Sequence, residues 1–232
     1  MHESCAAVIV AAGSSQRMQG RDKLWMPLAG RIILARTIDV FQASPLIHNI
    51  VLVLTRERVA GATTLCEHEG WSKVTAIVAG GARRQDSVRI GLETLARCEP
   101  PPQWVMIHDG ARPLVTQQLL EEGLQAAQAH RAAIAAVPVK DTMKQVEQGL
   151  VHSTIDRSQL WAIQTPQIFA FPLILQAHTG PTGQADVTDD AALLERLGHP
   201  VAVFPGSYTN IKITTPEDIL MAEALLQGRT RP

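Results

Sequence analysis

The chain has 232 residues, 46% of them hydrophobic and 19% charged, with a formal net charge of -1, a balance that fits a soluble globular protein with room for a substantial core. That charge gives no long-range pull toward nucleic acid or an anionic membrane, so any anion must be held by local groups. Cys5, Cys66 and Cys98 are odd in number and widely spaced, without a Cys-x-x-Cys pair, which argues against a disulfide scaffold and a zinc site.

The first element, Cys5 to Ala12, is an apolar, non-alternating run that predicts a strand buried on both faces of a parallel sheet. It is too short to span a membrane, and His2 and Glu3 ahead of it are not the basic lead of a signal peptide, so a cytoplasmic protein is expected. The run breaks at Gly13 into Ser14-Ser15-Gln16-Arg17-Met18, with Lys23 close behind. Successive amides in such a turn can form an anion-binding concavity, and Arg17 and Lys23 would add full charges around a polyphosphate. A strand followed by a Gly-Ser turn also occurs with no ligand, and the loop matches neither the Gly-x-Gly-x-x-Gly fingerprint nor a P-loop.

Short apolar runs alternate with helical patterns over the rest of the chain, implying one large α/β domain with a mainly parallel sheet flanked by helices. Further strands are expected at Asn49 to Leu54, Val74 to Val78, Trp104 to Ile107, Ala132 to Val139 and Pro200 to Phe204. Helices are expected from Ile32 to Phe41, Asp86 to Arg97, Thr116 to His130 and Ala191 to Leu197, with Asp86 and Ser87 in the N-cap region of the second. A last helix starts at Thr215-Pro216-Glu217-Asp218, where an N-cap hydroxyl, a first-turn proline and acidic residues coincide, and stops near Gly228. The polar stretch 140–160 breaks the alternation. Its centre reads as a β-hairpin around Gly149 that projects from the body, either packed on a second subunit or standing as a solvated insertion.

Charge gathers at three further places. Asp109, in His108-Asp109-Gly110-Ala111-Arg112, follows a central strand, where it could hold magnesium beside a polyphosphate or simply pair with Arg112 or cap a turn. Gly80-Gly81-Ala82-Arg83-Arg84-Gln85-Asp86-Ser87 could present backbone amides and Ser87 to a base or ribose, or be only a strand-to-helix turn. Lys212 stands in an otherwise apolar short strand, Asn210 to Ile213, either at an edge or aimed at an anion, while Thr188-Asp189-Asp190 reads as a helix cap that could face the same cleft. The eight histidines form no metal-ligand spacing, and no Ser/His/Asp arrangement stands out.

In order, AAGSSQRM with Lys23, GGARRQDSV, HDGARP, PVKDTMK, Asp156-Arg157, LWAIQTPQIF, TDD and NIKITTPED closely resemble the 2-C-methyl-D-erythritol 4-phosphate cytidylyltransferases across nearly the whole chain. The resemblance implies a Rossmann-like nucleotidyltransferase fold, a homodimer joined through the 140–160 hairpin arms, magnesium as cofactor, and transfer of a cytidylyl group from CTP to a sugar-alcohol phosphate. It implies that Ala11, Ala12, Gly13, Arg17, Lys23, Gly81, Ser87, Asp109 and Gly110 bind the nucleotide, with Asp109 on the metal. Arg112, Thr142, Arg157, Thr165 and Lys212 would bind the methylerythritol phosphate, Arg157 coming from the partner's arm, and Arg17, Lys23, Asp109 and Lys212 would be catalytic. Val10, where a proline is common, and Ala82, where an acidic residue is common, depart from the pattern. A ribitol 5-phosphate cytidylyltransferase and a non-catalytic nucleotide-binding module are the alternatives. A Rossmann oxidoreductase is disfavoured by the missing Gly-x-Gly-x-x-Gly.

Overall fold

The computed structural model describes residues 4–13, 22–184 and 186–229. The chain begins with β1 (Cys5–Ala11), a 3-10 turn (Lys23–Trp25), a two-stranded ladder of β2 (Pro27–Leu28) and β3 (Arg31–Ile32), and α1 (Ile33–Ala43). It continues through β4 (Ile47–Leu54), α2 (Val59–Glu69), β5 (Val74–Ala79), α3 (Arg84–Leu95), β6 (Trp104–Asp109), α4 (Gln117–His130) and β7 (Ala132–Pro138). A hairpin of β8 (Met143–Glu147) and β9 (Leu150–Ile155) follows, then β10 (Trp161–Ala170), α5 (Phe171–Thr179), α6 (Ala191–Arg196), β11 (Ala202–Pro205) and α7 (Pro216–Arg229).

Seven strands form the main sheet in the order β11-β7-β10-β6-β1-β4-β5. All neighbouring pairs are parallel except those of β10, which runs antiparallel to both β6 and β7. The pleat of β1 explains its composition. Cys5, Ala7, Ile9 and Ala11 point to a core shared with α1 and α4, while Ala6 and Val8 point to a second core under α3, α5 and α6. Gly91 shows how closely α3 is laid on the sheet, since a Cβ there would stand 2.5 Å from Val8 Cγ1.

Two expectations about local structure change. Helix α3 begins at Arg84, so Asp86 is not an N-cap but the third helical residue, and its carboxylate accepts from the backbone N–H of Arg83 at 3.1 Å. Residues 210–213 form no strand; Ile213 N donates to Ala111 O at 2.9 Å, which is enough to hold this loop beside the end of β6. At the start of α7, the Asp218 carboxylate accepts from Thr214 N and Thr215 N, the reciprocal half of a capping box.

The 140–160 segment stands away from the sheet as expected. Its turn falls at Gln148 (φ 50°) and Gly149 (φ 82°), two left-handed residues that match the twist of a tight hairpin. Cross-strand pairs Met143/Ile155 and Val146/Val151 leave apolar side chains exposed along the arm. Its base is tied down by the Val139 N to Leu160 O bond at 3.0 Å and by Tyr208, whose hydroxyl donates to Pro138 O at 2.7 Å and whose ring lies under Lys140 Nζ.

The α3–β1 contact leaves no room for a side chain, so Gly91→Val is expected to cost about 2 kcal/mol or more. Urea unfolding followed by circular dichroism measures this, as a fall in the midpoint with an unchanged slope.

Candidate active site

Strand β1 is followed in the sheet by β4 on one side and, after the chain doubles back, by β6 on the other, so the topology reverses between the carboxyl ends of β1 and β6. Ligands of open α/β sheets bind at such a point. A cavity of about 570 Å³ opens there. Its walls combine residues 10–13 at the end of β1, Lys23, the turn 81–84 with Ser87, Asp109 and Ala111 at the end of β6, and Lys212 with Thr214.

Each wall has a local cause. Gly80 allows the β5–α3 turn to close on β1, because a Cβ there would lie 2.5 Å from Ala12 Cβ and 2.6 Å from Ser87 Oγ. Ser87 is buried and holds that turn itself: Oγ accepts from Gly81 N and donates to Arg83 O, both at 3.2 Å. Lys23 opens the 3-10 turn that Asp22 caps by accepting from Leu24 N. Asp22 is in turn held by Arg58 Nε at 3.0 Å, and the Arg58 guanidinium lies 5.1 Å from the Trp25 ring centroid.

Asp109 is the centre of the site. Its carboxylate, 7% exposed, meets Lys212 Nζ at 2.8 Å through Oδ2 and Arg84 Nε at 3.1 Å through Oδ1, with Arg112 Nε 3.8 Å from Oδ2. Burial by itself would push this carboxyl up; Arg84, Lys212 and Arg112 outweigh it and hold it well below the usual carboxylate range. Asp109 is therefore ionised throughout the neutral range. The simple Asp109–Arg112 pair that the sequence leaves open is the longest of the three contacts. Arg112 spends Nη1 on Asn210 O at 2.8 Å, and its buried Nε has no hydrogen-bond acceptor among the described residues.

The backbone of Asp109 is fixed from behind. Strand β10 slips register between Ile163 and Gln167, and the irregularity carries Thr165 to the end of β6. Asp109 N donates to Thr165 Oγ1 at 3.0 Å, and Thr165 Oγ1 is 3.2 Å from His108 Nδ1. His108 Nε2 faces Arg112 O at 3.2 Å, an acceptor only, so neutral His108 carries its proton on Nε2 and accepts from Thr165 at Nδ1. Burial, partly offset by Asp109, lowers His108 to about 4.

Of the residues singled out from the sequence, Ala11, Ala12, Gly13, Lys23, Gly81, Ser87, Asp109 and Lys212 line this one cavity. Gly110 is spent on structure, its N–H donating to Val10 O and its carbonyl accepting from Thr37. Arg112 and Thr165 lie buried directly behind Asp109. Thr142 and Arg157 are exposed on the arm and its base, where Arg157 Nη1 donates to Lys140 O; the single chain does not bring them to the cavity. Arg17 lies outside the described residues. Sequence reasoning assigned nothing to Arg84, although the Arg83-Arg84 pair beside a glycine turn was the available signal.

Among the described residues no group of three His, Cys, Asp or Glu side chains could hold a metal. The cavity offers one ionised carboxylate, Asp109, a hard oxygen donor. That set fits a magnesium ion that takes most of its ligands from substrate phosphates and water, not a resident metal caged by protein.

Fold and site together define a nucleotide-binding α/β protein whose cavity is built for a polyanion. The chain belongs to the 2-C-methyl-D-erythritol 4-phosphate cytidylyltransferase (IspD) family, whose model matches residues 5–228. The enzyme of that name from Dehalococcoides mccartyi strain CBDB1 is 49% identical over 228 residues, 98% of each chain. That from Halalkalibacterium halodurans is 44% identical over 228 residues, 97% of this chain and 98% of the relative. Among solved structures, the 4-diphosphocytidyl-2C-methyl-D-erythritol synthase of Anaerococcus prevotii superposes with TM-score 0.84 at 32% identity, covering 97% of both chains. The cytidylyltransferase of Thermus thermophilus gives 0.78 at 31% identity, covering 98% of this chain and all of the other.

His108 makes stability fall on the acid side. The unfolded chain takes this proton near pH 6.5 and the folded one near about 4, so its contribution is complete above 6.5 and lost as pH drops through that window. The loss amounts to about 3 kcal/mol at most. Melting temperatures of the parent should fall between pH 6.5 and 4, and those of His108→Gln should fall less steeply.

Proposed function

We propose that this chain transfers the cytidylyl group of CTP to 2-C-methyl-D-erythritol 4-phosphate, releasing pyrophosphate. The observation that carries the reading is that Lys23 from the β1 side and Lys212 from the loop before α7 line one cavity with ionised Asp109. A cavity lined by cations from two separate segments suits a reaction between two anions. The relatives are named for cytidylyl transfer to 2-C-methyl-D-erythritol 4-phosphate.

In the mechanism, residues 11–13 and Gly81 offer backbone to the nucleotide, and Lys23 holds the triphosphate. Lys212 faces the sugar phosphate and orients one of its oxygens in line with the α-phosphorus, while Arg112, buried behind Asp109, supports the carboxylate that Lys212 meets. That oxygen bonds to the α-phosphorus as the bond to the bridging oxygen of pyrophosphate breaks; the electron pair leaves with pyrophosphate. No general base is required, because the attacking phosphate is already ionised, which agrees with a neutral His108 turned toward Thr165 and away from chemistry. The work of the protein is positioning and neutralising charge that develops on the phosphoryl oxygens. Asp109 would hold magnesium delivered with CTP; bound there, the ion neutralises phosphate charge. Arg17, by resemblance to the family, joins Lys23 on the triphosphate.

The arm gives the dimer. Leu150 is 75% and Val151 63% exposed on a hairpin whose two strands have no third neighbour among the described residues, and a second copy is the partner that would cover them. In that dimer Thr142 and Arg157 reach the partner's sugar-phosphate site. Among the described residues no helix is long and apolar enough to cross a membrane, and the unpaired cysteines suit the reducing cytoplasm.

Pyrophosphate release should require CTP and be much faster with methylerythritol phosphate than with ribitol 5-phosphate; the reverse preference would replace the acceptor, and CTP binding without release would reduce the chain to a binding module. Lys23→Ala and Lys212→Ala should each lose roughly 10²-fold in turnover. A near-parent rate in either variant removes that residue from the chemistry. If the arms are shared, mixing inactive Arg157→Ala with inactive Lys23→Ala restores part of the activity, since a mixed dimer holds one site free of both changes; an inactive mixture places Arg157 in its own subunit.

A further inference from the structure

Arg84 is tied to carboxylates on both sides. Its Nε donates to Asp109 Oδ1 at 3.1 Å and its Nη1 to Asp190 Oδ2 at 2.8 Å. Asp190 precedes α6, is 1% exposed, and has its other oxygen 3.2 Å from His178 Nε2 of α5. The surrounding bonds fix it further: Asp190 N donates to Gln167 Oε1 at 3.2 Å, and Gln167 Nε2 donates to Asp189 Oδ2 at 2.9 Å. Beside Arg84, Gln85 Nε2 donates to Gly183 O at 2.7 Å.

A buried ion pair is weak evidence for stability, because apolar residues of the same volume hold a fold as well or better. What this pair provides is direction. A guanidinium is a rigid planar fork. With Nη1 committed to Asp190, Nε can meet Asp109 from one side only, so Oδ1 is held against Arg84 and Oδ2 is left to Lys212.

We propose that Arg84 is a positioning residue for the reaction, pinned by Asp190 so that it fixes the orientation of the Asp109 carboxylate, and that Asp190 acts on the site only through Arg84. The proposal rests on the reading of Asp109 as the reaction-centre carboxylate.

Steady-state kinetics of Asp190→Asn, Arg84→Lys, Arg84→Gln and the Arg84→Gln/Asp190→Asn double variant test it, with Asp109→Asn as reference and with melting temperature and calorimetric CTP affinity measured beside activity. Asp190→Asn and Arg84→Lys should each lower kcat about 10-fold while KM and Kd for CTP stay within about 2-fold, because the interaction lost concerns geometry at the reacting centre and not nucleotide binding. Arg84→Lys should fail to rescue, since one ammonium keeps the charge but not the fork. The double variant should be no slower than Arg84→Gln, the non-additivity expected of residues acting in series. Parent kcat in Asp190→Asn or Arg84→Lys, or losses that multiply in the double variant, overturn the proposal alone. If Arg84→Gln does not fold, kcat of Asp190→Asn and Arg84→Lys decides. Parent kcat in Asp109→Asn overturns the reading of the reaction centre and the proposal with it.

Discussion

A carboxylate buried at the end of a central strand must be paired, because an isolated ionised group out of water costs far more than a domain's stability margin can absorb. Asp109 is such a group, and the site follows from satisfying it. Arg84 arrives from the start of α3, Lys212 from the loop that precedes α7, and Arg112 from the turn after β6. Those three segments are distant in sequence, and their convergence shapes the cavity. The tight β5–α3 turn at Gly80, the bond from Ile213 to Ala111, and the register slip in β10 all place a group against Asp109 or behind it.

The same constraint bears on the chemistry. Two of the cations assembled to neutralise Asp109, Arg84 and Lys212, also line the cavity. On the proposed function they are preorganised before either substrate arrives, so little reorganisation is left for the moment of phosphoryl transfer. Asp109 stays ionised at neutral pH, and the histidine beside it stays neutral with both ring nitrogens occupied. On the proposed function, electrostatics and geometry are the means of acceleration.

Much of this was legible in the sequence because the signals are local. The apolar run of β1, the glycine turns, and a lone lysine among apolar residues each announce themselves within a few positions, and Ala11 to Gly13, Lys23, Gly81, Ser87, Asp109 and Lys212 line one cavity. The hairpin at Gln148-Gly149 was equally plain. Non-local features were not. The partner of Arg84 is Asp190, 106 residues away, and nothing near Arg84 discloses it. β10 escaped as a strand because Gln164-Thr165-Pro166 interrupts its apolar pattern where the ladder slips. α2 escaped because it buries little, Ala62 being its one fully buried side chain among described residues. The start of α3 at Arg84 is hidden because an aspartate at the third helical position and one at a cap look alike in sequence.

On the proposed function, this cavity joins the α-phosphorus of CTP to a sugar-alcohol phosphate. Phosphorus-31 NMR of the protein with CTP, methylerythritol phosphate and magnesium observes that bond. Two coupled signals of an unsymmetrical diphosphate should grow together with an equal amount of pyrophosphate. CMP and pyrophosphate with an unchanged acceptor, or CTP that binds and is never consumed, would contradict the account.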